Sequence, residues 1–229
     1  MEATLYHIYT DSAYVYAATS DGLDIYDITS EQKYAYITSQ CVVNTVWGNS
    51  DKVFIGTTTS GINYFYKTCI SGSVDDPYDI GSCLCDFSDL TYYITLTSNN
   101  IRYLHGYSDK ILAITDSGVD VVKIDPQGYR SYTTILSGRK GFMTSTNKFY
   151  YTTNNSINRM NNDTYDWSIP DITYATGSGI FEAGITINDI FVTEGTSQDG
   201  IEDTLFVATS SGVYVIDEGI GEYIIYYKE

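Results

Sequence analysis

The densest group of hard oxygen ligands in this chain is the run 194–203, which holds Glu194, Asp199, Glu202 and Asp203 around Gly200. Calcium takes six to eight such oxygens, so these four are the metal candidates. The run lacks EF-hand spacing, and a solvated acidic loop accounts for it better than a calcium site; no cofactor is otherwise expected. A nucleophilic triad needs a histidine beside a serine or cysteine and an acid. The two histidines, His7 and His105, sit in separate strand-like runs, and no spacing ties either to a nucleophile. They read as core or channel-lining groups. Glycoside hydrolysis needs two facing carboxylates, and Asp11, Asp51, Asp109, Asp189 and Asp203 fall near strand ends. Aspartate is also what a turn prefers; Asp189, inside the apolar run 185–192, is the acid that fits a turn least. Trp47 could stack on a sugar ring. His7, Trp47, His105 and Asp189 are therefore the binding candidates, with no catalytic residue assigned. Cys69 lies across an excursion from Cys83 and Cys85, so a Cys69–Cys83 disulfide is feasible if the flanking strand ends meet. Two histidines on separate runs give zinc no workable tetrahedral set.

A repeat must position these groups. Five segments, 15–27, 54–65, 112–122, 150–160 and 206–217, each carry an aromatic or β-branched run, a threonine, a tight turn and a second run. The threonines are read as Thr19, Thr58, Thr115, Thr153 and Thr209. A unit recurring every roughly 40–55 residues marks a repeat architecture. The turn holds Gly22, Gly61, Gly118 and Gly212, with Ser156 in the fifth place. A short hairpin link favours a residue that tolerates positive φ, so these glycines are expected there. A strand is expected before each hairpin, at 4–10, 42–48, 101–107, 141–145 and 185–192, and another after it, at 33–39, 91–98, 129–136, 164–169 and 222–228. Four antiparallel strands repeated about a ring make propeller blades. The expected fold is all-β, a five-bladed β-propeller in one domain over 1–229. Its blades run over about 3–40, 41–98, 99–137, 138–176 and 177–229. The residues 171–184 are expected to link the last two blades.

The hairpin units resemble the short repeats of sensor-type propellers, found as periplasmic domains of two-component regulators, and more loosely WD-like propeller repeats. Residues 15–27 and 205–217 match that pattern closely, 52–66 and 110–125 with changes, and 147–160 least. The resemblance implies a β-propeller and is nearly silent on activity, because propellers host many unrelated functions.

Net charge is −17, from 29 acidic and 12 basic residues. Binding to nucleic acid needs clustered Lys and Arg, so nucleic acid is excluded as a main ligand, and anionic membrane surfaces with it. No basic start with an apolar core marks a signal peptide, and no apolar run is long enough to span a bilayer. The compartment expected is cytoplasm or virion. The function expected is a non-enzymatic binding or assembly module with a protein or glycan partner, able to oligomerise, in a viral or phage particle as a structural or attachment protein. The alternatives are a lectin-like propeller and a five-bladed glycoside hydrolase.

Overall fold

A computed structural model describes residues 3–38, 42–70, 78–79, 96–125, 128–134, 138–146, 148–161, 172–195, 203–219 and 222–226. The chain forms two compact units, Met1–Ile135 and Leu136–Glu229. About two thirds of the described residues are strand. None of their helices is long and apolar enough to cross a membrane.

Among the described residues the first unit holds three sheets. The first sheet is the antiparallel meander β1 (Leu5–Thr10), β2 (Tyr14–Thr19), β3 (Gly22–Asp27) and β4 (Gln32–Thr38). The second is β5 (Val43–Gly48), β6 (Lys52–Thr57) and β7 (Ile62–Tyr66). A two-residue strand, β8 (Tyr78–Asp79), adds to the edge of the first sheet in parallel with β4. The third sheet is β9 (Ile101–Tyr107), β10 (Lys110–Thr115), β11 (Val119–Asp125) and β12 (Gly128–Thr134). The second unit holds two sheets. The fourth is β13 (Lys140–Met143), β14 (Lys148–Thr152), β15 (Ser156–Asn161) and β16 (Ile172–Ala175). The fifth is β17 (Ile187–Thr193), β18 (Thr204–Thr209), β19 (Gly212–Asp217) and β20 (Glu222–Tyr226). The five sheets fall on the five expected repeats.

The recurring threonine is a turn staple. Its Oγ1 donates to the carbonyl that opens the third strand, at 3.0 Å for Thr19–Gly22, 3.1 Å for Thr115–Gly118 and 2.8 Å for Thr209–Gly212. The same oxygen accepts a turn N–H, from Asp21, Ser117 and Ser211. A hydroxyl near its own backbone does this readily, and threonine adds the β-branch that a strand end favours. In the fourth sheet the Thr153 hydroxyl meets that of Ser156 at 2.7 Å. In the second sheet the staple is Thr57, not Thr58. The Thr57 hydroxyl bonds the Gly61 carbonyl at 3.2 Å and takes the Ser60 N–H at 2.8 Å, because this turn is one residue longer than the others.

Two further expectations need correction. Gly22, Gly61 and Gly212 have positive φ, at 133°, 71° and 134°, but Gly118 does not. Its amide bonds the Thr115 hydroxyl at 2.9 Å, a geometry that needs no glycine, which explains why Ser156 can hold the matching place. The outer strand of the fourth sheet is β16 (Ile172–Ala175), placed by pairing Ser156 with Ala175 and Arg159 with Ile172. The sequence puts that strand at 164–169, which lies outside the described residues, and reads 172–175 as linker. In the second sheet the fourth strand expected at 91–98 lies largely outside them, and 96–98 is not strand.

Pairing Leu5 with Thr19, Val43 with Thr57, Ile101 with Thr115 and Ile187 with Thr209 puts these sheets in one register. The core is layered between sheets accordingly. Tyr16, Leu23 and Ile25 on the front of the first sheet pack on Val43, Val46, Val53 and Ile55 on the rear of the second. Phe54, Ile62 and Tyr64 pack on Ile101, Leu104, Ile111 and Ala113 of the third. Within the second unit, Tyr150 and Ile157 pack on Ile187, Ile190, Leu205 and Val207. Period-2 alternation delivers each set to one face, and burying each such side chain contributes about 1.5–3 kcal/mol. Each register also slips by one residue just after its opening pair, between Leu5 and His7, Val43 and Thr45, and Ile187 and Asp189, and opposite Ile114 and Thr115 in the third sheet. Such bulges bend a strand and re-aim the next side chain.

Candidate binding site on the first strands

The residues that follow the bulges in the first unit are His7, Thr45 and Tyr103, one from each sheet, and they meet. The Leu104 N–H donates to Thr45 Oγ1 at 3.0 Å. That hydroxyl lies 3.3 Å from His7 Nδ1, which also accepts the Val46 N–H at 3.3 Å. With Nδ1 accepting, the network assigns the neutral ring's proton to Nε2. The His7 ring stands edge-on to Tyr103 at 5.2 Å. Asn44 Nδ2 donates to the Ile101 carbonyl at 2.8 Å, tying the second sheet to the third.

Two residues further along lie Tyr9, Trp47 and His105. Tyr9 donates to the Gly48 carbonyl at 2.7 Å, and Trp47 lies over Gly106. A Cβ on Gly106 would sit 2.8 Å from the Trp47 ring and 2.5 Å from the Lys110 carbonyl. Glycine is required at that spot so that an indole can rest on backbone. Burial first, then the nearby His7, pulls the His105 imidazole down to about 4, so it is neutral at pH 7.

Beside this seam the turns after β5 and β9 border an open depression of about 410 Å³, lined by Trp47, Gly48, Asn49, Ser50, Gly106, Tyr107 and Ser108. Trp47 is 7% exposed and stacks on Phe54 at 5.6 Å. It is a wall of the depression rather than the platform expected for a sugar. Tyr107, 46% exposed, offers the open ring. Asn49 Nδ2 spans to the Ser108 carbonyl at 3.4 Å. A second depression, about 470 Å³, lies on the first sheet around Asp24, Lys33 and Tyr36. There Lys33 pairs with Asp24 at 2.6 Å.

His7, Trp47 and His105 thus come together in the first unit. Asp189 occupies the post-bulge place of the fifth sheet, in the second unit. Its side chain is exposed and Oδ1 accepts the Ile190 N–H at 2.8 Å. The metal candidates divide. Asp199 and Glu202 lie outside the described residues. The Glu194 carboxylate accepts the Ser145 N–H at 2.8 Å and bonds its hydroxyl. Asp203 is buried in a charge network. Among the described residues no three His, Cys, Asp or Glu side chains stand together as a metal set. Cys69, a free cysteine, ends a 3₁₀ turn at Lys67–Cys69, and Cys83 lies outside the described residues.

The network around Asp203 has no counterpart in the sequence reading. The buried Tyr150 hydroxyl donates to Asp203 at 2.7 Å and lies 2.9 Å from Glu218 Oε2. Lys148 pairs with Asp203 at 3.2 Å, Arg159 with Glu218 at 2.7 Å, and the Tyr174 hydroxyl donates to Glu218 at 2.8 Å. Burial, then the Glu218 charge, drives the Tyr150 hydroxyl far above the usual phenol range. The first unit carries a simpler arrangement. The Tyr16 hydroxyl donates to Asp11 at 3.1 Å, and Lys67 pairs with the same oxygen at 2.6 Å. Burial opposes ionisation of Asp11, but Lys67 and the Ala13 and Tyr14 amides outweigh it and hold the carboxyl below its ordinary value. The Asp203 and Glu218 side chains are 3% and 2% exposed. Two carboxylates closed off and paired with cations in this way tie sheets together.

No family model matches the chain, and no curated protein matches it. Solved structures do. The extracellular domain of BT4673 from B. thetaiotaomicron, described as that of a hybrid two-component system, superposes with a TM-score of 0.68 at 15% identity, covering 98% of this chain and 29% of that one. A second structure of that domain, described as that of a one-component system, gives 0.65 at 14% identity over 98% and 30%. The computationally designed Ika8 protein gives 0.59 at 11% identity, over 95% of this chain and 59% of the design. The chain thus spans under a third of the natural domain that it resembles. At these identities the likeness is one of fold, an all-β array of repeated antiparallel sheets.

Proposed function

We propose that the chain is a non-enzymatic binding module whose five sheets are propeller blades with their first strands innermost. Its ligand is a carbohydrate taken at the depression beside the first-strand seam. The observation that carries this reading is the juxtaposition of the exposed Tyr107 ring with Asn49, Ser50 and Ser108 against the Trp47 wall. Sugar recognition uses an aromatic face together with a few fixed polar groups. The seam favours a structural role for His7, whose Nδ1 accepts the Val46 amide. The neighbours favour an extracellular sensor setting over the cytoplasm or virion expected from the sequence. They lend no support to a viral role.

The test uses Trp47 as reporter in a Trp167→Phe background. Titrating soluble mono- and disaccharides should change its emission saturably for one sugar class, and Tyr107→Ala should abolish the change. Emission unchanged by every sugar, or turnover of chromogenic glycosides, would overturn the reading.

A further inference from the structure

In the first, second and fourth sheets, the turn between the first two strands opens on a residue whose side-chain oxygen caps it. Asp11 Oδ1 accepts the Ala13 and Tyr14 N–H groups at 2.8 and 2.9 Å. Asn49 Oδ1 accepts those of Asp51 and Lys52 at 3.2 and 2.9 Å. Thr144 Oγ1 accepts that of Lys148 at 3.1 Å. An aspartate, an asparagine and a threonine thus do one job, through side-chain bonds to their own turn. Asn49 differs from Asp11 in one respect, since its second polar atom is a donor. Two turn amides on Oδ1 fix the orientation of its amide group, and Nδ2 is left to reach across to the Ser108 carbonyl at 3.4 Å.

Ser108 is unusual in its own right. Its φ is 53°, a left-handed value uncommon for a residue other than glycine. Tyr107 stands in the third sheet where Asp11 and Asn49 stand in the first two, and it cannot cap its own turn. The turn closes tightly instead, with Lys110 paired to Tyr107, and such a turn calls for positive φ. Backbone held in this way is common at ligand clamps. At 3.4 Å the Asn49–Ser108 contact is long for a hydrogen bond. Nδ2 carries a second hydrogen and the carbonyl a second lone pair, so a donor and an acceptor stand side by side in the wall of the depression. Two neighbouring hydroxyls complement them, one accepting from Nδ2 and the other donating to the carbonyl. None of the lining side chains is charged. The Ser50 hydroxyl bonds Asp51 Oδ1 at 3.2 Å, which sets a carboxylate beside the depression, where an acidic sugar would meet like charge.

We infer that Asn49 is the specificity-determining residue of the depression, and that with the Ser108 carbonyl it takes a pair of neighbouring hydroxyls on an uncharged sugar. This rests on the carbohydrate reading above and narrows its ligand to neutral sugars.

Asn49→Asp and Asn49→Thr test it, because each keeps a capping oxygen, as Asp11 and Thr144 show, and deletes the Nδ2 donor. The probes are methyl glycosides and disaccharides of glucose, galactose and mannose, set against glucuronic and galacturonic acids. A neutral sugar should shift the Asn49 side-chain amide resonances saturably, and neither acid should. Both variants should bind that sugar at least roughly tenfold more weakly, with the urea midpoint of wild type. An acid bound as tightly as the neutral sugar, or variants that bind as well as wild type, overturns the inference and leaves the carbohydrate reading standing. A midpoint that falls in both variants would mean that Nδ2 only ties the two sheets together, and overturns it as well. A wild type that binds none of the probes overturns the inference and the carbohydrate reading together.

Discussion

Tyr150→Phe keeps the ring in its layer and deletes one oxygen. That oxygen serves two carboxylates, Asp203 at 2.7 Å and Glu218 at 2.9 Å, whose side chains are 3% and 2% exposed. A hydrogen bond to a charged group contributes about 1.5–3 kcal/mol. Asp203 would retain Lys148 and the Gly195 amide, and Glu218 would retain Arg159 and Tyr174. One proton serves the pair, so the loss is that of a single such bond, roughly 1.5–3 kcal/mol. Tyr16→Phe is the internal control. It removes one bond at 3.1 Å to Asp11, whose side chain is 16% exposed and still holds Lys67, so it should cost only about 1 kcal/mol. Urea denaturation measures both. With a slope of about 1–3 kcal/mol/M, Tyr150→Phe should lower the midpoint by roughly 1–2 M and Tyr16→Phe by well under 1 M. Equal shifts, or a Tyr150→Phe midpoint at the wild-type value, would refute the view that this hydroxyl satisfies a buried carboxylate.

Thr57→Val should cost about 1 kcal/mol through the lost staple, and Thr58→Val should stay within about 0.5 kcal/mol of wild type; chemical denaturation of the pair decides which threonine staples the turn. Gly22→Ala should destabilise more than Gly118→Ala by about 1 kcal/mol or more, since only Gly22 has positive φ and a side chain there is strained; equal melting temperatures would contradict this. His105 has its folded value lowered from 6.5 to about 4, so the neutral ring contributes stability above pH 6.5. That contribution, at most about 3 kcal/mol, is lost as pH falls from 6.5 toward 4. Melting curves should decline over that window, and the decline should be shallower in His105→Gln.

The repeat was legible because its signal is local. Aromatic and β-branched runs, a threonine and a tight turn lie within about a dozen residues of one another, and they located all five sheets. The errors arose where one residue changed a register. The longer turn at Thr57–Gly61 moved the staple by one place, and glycine at 118 suggested a positive φ that its turn does not use. The outer strand at 172–175 was missed because Tyr and Thr at 164–166 gave an equally good β signal. His7, Trp47 and His105 stood out by residue type, and the shared register explains why they lie together. Thr45, Asn44 and Tyr103 look like ordinary strand residues; only the bulges, which sequence does not announce, turn them toward the seam. The Tyr150 network joins positions 53 and 68 residues apart, and no local pattern carries that pairing.

Carbohydrate binding without turnover at Trp47 and Tyr107 is the proposal to be tested. The most direct measurement is a glycan array read with wild type and Tyr107→Ala side by side. The account predicts retention of one related group of glycans by wild type, returned unaltered, and loss of that signal in the variant with its fold intact. An array on which wild type binds nothing, or on which Tyr107→Ala binds as well as wild type, would contradict it.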